Sequence, residues 1–217
     1  MLTPLQAETM LTLQAQMNAK VNPEWIAAAY PYLRAVVVEG SEAMEHHGWK
    51  WWKKQDCDLA QLQMELVDIW HFTLSHILLE HRGNQATSLT ELLEPHTTTH
   101  IDFDGKRYAI AELDLIGKME LNIGLAAARR ISIPLFAALL KDCAMEWKDL
   151  YCQYVGKNVL NFFRQDNGYK QGTYRKLWSG REDNEHLVEI MGTLNSEDAG
   201  FQHQLYASLK DRYTTLG

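Results

Sequence analysis

Two acidic pairs are the residues of this chain best suited by type and spacing to do chemistry. Glu39-x-x-Glu42 and Glu65-x-x-Asp68 each carry carboxylates three positions apart. On an α-helix that spacing sets the two side chains about 60° apart around the axis, on one face. Two such helices side by side would offer four carboxylates to one point, an oxygen-rich set suited to Mg²⁺ or Mn²⁺. Glu65 and Asp68 stand in the apolar stretch MELVDIWHF. A carboxylate buried there without a partner would take up a proton rather than stay charged, and a cation removes that cost. The spacing alone also admits a plainer arrangement, with the pairs facing solvent or paired with Arg or Lys of a neighbouring helix.

The second feature is basic. Lys157, Arg164, Lys170, Arg175, Lys176 and Arg181 fall in one segment with a single acid, Asp166. That is a surplus of five positive charges in a chain of net charge −7, so the remainder carries −12. Arg forks, Lys charges and backbone N–H groups near Gly168 and Gly172 suit phosphate oxygens. A solvated face pairing with the acidic remainder would use the same residues. Metal-holding carboxylates together with phosphate-binding cations point to hydrolysis of a phosphoanhydride. No G-x-x-x-x-G-K-[ST] loop is present, which disfavours ordinary ATPase or kinase architecture.

Aromatic residues crowd the same region. Trp49, Trp51 and Trp52 lie between the acidic pairs, and Trp70 and Phe72 flank His71. Such side chains fill a core or stack a base. Gln14 and Asn18, four apart, are able to read the amide edge of a pyrimidine. Asp68-x-x-His71 and Asp183-x-x-His186 are similar to the carboxylate-x-x-His motif of di-iron bundles, but with Asp where that motif carries Glu.

Helices must position these groups. Thr3-Pro4-Leu5-Gln6 is a helix start, and Asn22-Pro23-Glu24 repeats its logic. Helical spacing runs from about residue 31 to 46, and from Asp58 to a stop at Arg82-Gly83. It returns over about 110–130 and 133–163. Shorter helices are expected near 182–194 and 200–214, after a glycine-containing loop at Asn167-Gly168 and Gln171-Gly172. Residues 84–108 show little periodicity and read as a surface excursion with one helical turn near Leu89–Leu93. Strand-like alternation is almost absent, so the predicted class is all-α.

The bulk properties agree. The 217 residues, 46% hydrophobic and 23% charged, suit one soluble globular domain over 1–217. The negative net charge argues against a nucleic-acid or anionic-membrane partner. Cys57, Cys143 and Cys152 form no C-x-x-C pair, the N-terminus has no basic or long apolar run, and a cytoplasmic location is expected.

Ordered blocks then carry a family resemblance: LQAQMN at 13–18, Glu39-x-x-Glu42 followed by WKWWK, ELVDIWHFTLS at 65–75, and GKNVLNFFRQDNGYKQGTYRKLW-x-G-x-EDN from Gly156 to Asn184. In these the chain resembles the dimeric, all-α dUTP diphosphatases. The resemblance implies a helical bundle around a four-helix acidic metal site, in a two-fold homodimer whose active site is completed near the subunit interface. It implies Mg²⁺-dependent hydrolysis of dUTP and dUDP to dUMP, with two or more Mg²⁺ per site and Mn²⁺ as a substitute. That reaction removes dUTP and supplies dUMP for thymidylate synthesis. Glu39, Glu42, Glu65 and Asp68 would be the ligands, with Glu42, or else Glu39, activating water. Lys157, Arg164, Tyr174, Lys176 and Asn184 match the family's phosphate-binding groups. Gln14, Asn18, Trp52, His71 and Phe72 match its nucleoside pocket. Two alternatives stand beside this: a related all-α nucleoside triphosphate pyrophosphatase acting on dCTP or a modified nucleotide, and a non-enzymatic helical interaction protein.

Overall fold

The computed structural model describes residues 2–195, 198 and 200–216. Helix α1 (Pro4–Val21) begins on the predicted capping box: Thr3 Oγ1 accepts from the Gln6 N–H, and the Gln6 side chain accepts from the Thr3 N–H. A single turn, α2 (Trp25–Ala28), is all that Asn22-Pro23 starts. Then come α3 (Tyr32–His47) and the long α4 (Leu59–Glu80), the two helices in most extensive contact. Asp58 caps α4, and its apolar circumference is buried along nearly its whole length. Helices α5 (Gln85–Leu93), α6 (Leu115–Ala127), α7 (Ile133–Asp142), α8 (Trp147–Asp166), α9 (Asp183–Met191) and α10 (Phe201–Leu216) complete the all-α architecture. Two small antiparallel hairpins interrupt it, β1 (His100–Phe103) with β2 (Lys106–Ala109), and β3 (Leu177–Trp178) with β4 (Arg181–Glu182).

The core lies between α1, α3, α4, α7 and α8, with Trp70 stacked on Phe136 at 4.9 Å. Helix α8 is the central support for the site. It packs on α1 and α4 on one side and on α9 and α10 on the other. Among the described residues, no helix is long and apolar enough to cross a membrane.

Two expectations are corrected. Residues 84–108, most of them exposed, hold more regular structure than the one helical turn expected. Asn84 caps a nine-residue helix by accepting from the Ala86 and Thr87 N–H groups. His81 ties that helix to the end of α4 through Glu91, at 2.6 Å. The β1–β2 hairpin follows, turning on Asp104 and Gly105, both at positive φ. Its Ile101 is buried in a separate apolar cluster with Leu121, Leu125 and Leu135. The second correction is that the stretch 133–163 is two helices. Ala144 is left-handed at φ 52°, and the Met145 N–H reaches back to the Leu140 carbonyl at 2.9 Å. This is the glycine-type helix stop made by an alanine. Glu146 and Asp149 then form the capping box that starts α8.

Candidate active site

The acidic pairs meet as the spacing predicts, but from two helices: α3 supplies Glu39 and Glu42, α4 supplies Glu65 and Asp68. One carboxylate oxygen each from Glu39, Glu42 and Glu65 lies within 4.8 Å of the others. Asp68 stands outside this trio and is held by Lys157 Nζ of α8 at 2.9 Å. Burial, then the charges of Asp68, Glu65 and Glu42, push the Glu39 carboxyl up to about 8. Burial and Asp68 push Glu65 up to about 7 against the pull of Lys157. Carboxylates this close resist simultaneous ionisation unless a cation joins them. Three converging carboxylates fit a hard divalent ion, and they fit a soft one poorly.

These residues line a cleft of about 610 Å³, large enough for a nucleotide. Lys157, Arg164, Lys176 and Asn184 line it too. Asn184 Oδ1 accepts from Lys157 Nζ and from Arg164 Nη2, both at 3.2 Å. The Arg164 fork is held by fully buried Asp183 through two bonds of 2.8 Å. A fourth contact runs from Nη1 to Asn161 at 3.1 Å, which leaves one of the five guanidinium N–H groups without a partner among the described residues. Burial, opposed by the Arg164 and Tyr174 hydrogen bonds, leaves Asp183 below the usual carboxylate range.

The basic segment divides. Lys170 bonds the Val21 carbonyl, Arg175 lies over the Tyr213 ring, and Arg181 pairs with Glu189. Among the described residues, only Lys157, Arg164 and Lys176 of the basic groups line the cleft, against six carboxyl groups: the four predicted ones, Glu182 and Glu185. The cleft is therefore acidic on balance.

A smaller cavity of about 250 Å³ adjoins the cleft, sharing Asp68, Phe72, Asn161, Arg164 and Tyr169 with it. Gln14, Asn18 and His71 line it, so four of the five predicted nucleoside residues meet there. Buried His71 stacks on Tyr154, and burial pushes its pKa down to about 4, so the ring is neutral.

Two predicted residues lie elsewhere. Trp52 lines neither cavity. After α3 ends at left-handed Gly48, the loop carries Trp51 and Trp52 outward, 86% and 59% exposed. They stack edge-to-face on each other and on Trp49, so they are also not core. The Tyr174 hydroxyl donates to Asp183 and its ring stacks on Tyr213, away from the cleft lining. The Asp-x-x-His motifs also resolve. His71 bonds Gln14, His186 bonds the Trp178 carbonyl, and Asp183 serves Arg164. Among the described residues, neither histidine joins a metal-ligating cluster.

Sequence reasoning missed His46, Gln61, Asn161 and Tyr169 in the cleft wall. His46 Nε2 is 3.5 Å from Glu65. Helical register carried a usable signal: His46 follows Glu42 by four, Gln61 precedes Glu65 by four, and Asn161 follows Lys157 by four.

Comparison with known proteins bears directly on this geometry. Residues 6–169 match the dUTPase family. No curated protein matches the chain. The matched segment holds both acidic pairs, the small cavity's polar residues, Lys157 and Arg164, and it ends before Lys176 and Asn184. With well over half its length matched, the chain belongs to the all-α dUTPase family and is a dUTP diphosphatase.

Proposed function

We propose that the enzyme hydrolyses dUTP, and also dUDP, to dUMP with Mg²⁺ held by Glu39, Glu42, Glu65 and Asp68. The observation that carries this is the charge of the cleft. Carboxyl groups outnumber basic groups six to three among the described lining residues, and Glu39 and Glu65 are pushed toward holding protons for want of a counter-ion, so added cations would let the cleft take a polyphosphate. Two or more divalent ions per site match that deficit, with Mn²⁺ as a substitute. When bound, the metal lowers the pKa of a water and draws charge from the phosphate oxygens.

The chain's own residues do the rest. Glu42, the exposed member of the trio, orients the attacking water and accepts its proton, with Glu39 beside it. Water adds to one phosphorus of the α,β-anhydride and the bridging oxygen leaves with the other, giving dUMP and pyrophosphate from dUTP, or dUMP and phosphate from dUDP. Lys157, Arg164 and Lys176 neutralise charge building on that leaving group, and Asn184 fixes Lys157 against Arg164. Tyr174 acts indirectly, by holding Asp183 on Arg164. The small cavity takes the deoxyuridine. A homodimer fits the exposed Trp51 and Trp52, which a partner subunit would cover. Three cysteines with no C-x-x-C pair suit a reducing cytosol, where the reaction would clear dUTP and supply dUMP for thymidylate synthesis.

The test is Glu42→Ala. Because Glu42 is solvent-exposed, the variant should fold, and kcat on dUTP should fall by about 10²–10⁴. Wild-type turnover would remove Glu42 from the mechanism.

A further inference from the structure

The polar residues around the small cavity form one network, tied to the α1 backbone by the Tyr154 hydroxyl 3.0 Å from the Met10 carbonyl, and it has a direction. Gln14 Oε1 receives the Tyr154 hydroxyl at 2.7 Å and faces His71 Nδ1 at 2.8 Å. Gln14 Nε2 donates to Ser75 Oγ at 2.7 Å and to Asn18 Oδ1 at 3.2 Å. Ser75 Oγ donates in turn to Asn18 Oδ1 at 3.1 Å. Gln14 thus spends both lone pairs and both amide protons inside the protein. Asn18 Oδ1 is likewise saturated. Since Gln14 Oε1 only accepts, His71 must carry its proton on Nδ1, leaving a bare lone pair on Nε2. The two atoms left over are Asn18 Nδ2, a donor, and His71 Nε2, an acceptor. Both are buried and have no hydrogen-bond partner among the described residues. Their residues are 6% and 4% exposed and line the cavity.

We infer that Tyr154 and Ser75, which touch no substrate, are positioning residues that set base selectivity by fixing the direction of this network. The inference rests on the reading that the small cavity takes the base. Asn18 Nδ2 then donates to a uracil carbonyl, and His71 Nε2 accepts from the uracil N3–H. Cytosine in the same register turns its unprotonated N3 toward the His71 lone pair, which repels it. Tyr154 bears on the direction because its buried phenol keeps its one proton and lies 2.7 Å from Gln14 Oε1 and 3.0 Å from the Met10 carbonyl: spent on Gln14, the proton holds Oε1 toward His71, whereas spent on Met10 it would free the amide to turn over. Gln14, expected from sequence to read the base edge, instead relays orientation between its two neighbours.

The test has two arms. In wild-type protein labelled with ¹⁵N-histidine, the His71 signals are identified by their loss in His71→Gln. The expected spectrum is that of a neutral ring with its proton on Nδ1. A proton on Nε2, the state produced by turning every amide over, would overturn the inference whatever the cavity binds. The kinetic arm uses Tyr154→Phe and Ser75→Ala, each checked by thermal melting, with Asn18→Ala alongside. Tyr154→Phe and Ser75→Ala should raise KM for dUTP about tenfold with little change in kcat, and lower the dUTP-to-dCTP preference by a similar factor. If Asn18→Ala weakens dUTP and the other two leave KM and preference unchanged, the positioning role fails alone. An Asn18→Ala enzyme with wild-type KM refutes the base-cavity reading, and the selectivity role with it.

Discussion

At the residue scale, the site turns on carboxylates that are uncomfortable together. Glu39 and Glu65 are pushed up from the ordinary 4.5 to about 8 and about 7 by burial and by one another's neighbours. A carboxyl whose pKa is higher folded than unfolded keeps its proton longer in the folded state. Its stabilising share is complete below 4.5 and is lost as pH rises through about 8. In EDTA, therefore, thermal stability should decline across that window, and Mg²⁺ should restore it most at the alkaline end. A melting temperature that is flat with pH in EDTA, or indifferent to Mg²⁺, would contradict the strain assigned to this cluster. Asp183 behaves oppositely: its depressed pKa makes its contribution present above the ordinary 3.8 and lost only as pH falls below it. The acidic pairs were legible from the sequence because three-residue spacing fixes a shared helix face. The partner of Asp68 was not, since nothing local to residue 68 announces Lys157, eighty-nine positions away.

At the scale of elements, the site depends on how closely α9 approaches α8, because α8 brings Lys157 and Arg164 while α9 brings Asp183 and Asn184. Gly156 makes room for the Met191 side chain of α9: a Cβ there would overlap Met191 Sδ and force that side chain to move. Gly156→Val should cost about 1–3 kcal/mol in denaturant unfolding. It should also raise KM for dUTP by parting Asn184 from Lys157. Unchanged stability and KM would show that the two helices do not need this contact. Local sequence signals worked at the caps Thr3 and Asp58, whereas the equally ordinary cap at Asn84 was passed over because little periodicity follows it. The α7–α8 break hides because Ala144 occupies the left-handed position that glycine normally marks. The β1–β2 hairpin did carry a signal, the Asp104-Gly105 turn between apolar residues, which the surrounding Thr and His residues obscured.

For the whole molecule, the family match and the fold agree, while the tryptophan cluster remains exposed on this single chain. Trp51 at 86% and Trp52 at 59% exposure are an unusual surface for a monomer. Sedimentation equilibrium should give twice the 25.0 kDa chain mass, and Trp51→Ser with Trp52→Ser should shift the equilibrium toward monomer. A wild-type monomer at micromolar concentration would refute the dimer. The expectation of a homodimer rests on the family resemblance alone, since no periodicity in the chain encodes which surface would meet a partner.

The most direct measurement is product analysis of dUTP, dUDP, dCTP, dTTP and UTP incubated with the enzyme in Mg²⁺ and in EDTA. The expected result is dUMP from dUTP and dUDP, strongly disfavoured turnover of the other three, and no product in EDTA. Equal turnover in EDTA, or dCTP cleaved as readily as dUTP, would contradict a carboxylate-held metal site joined to a uracil-selective cavity.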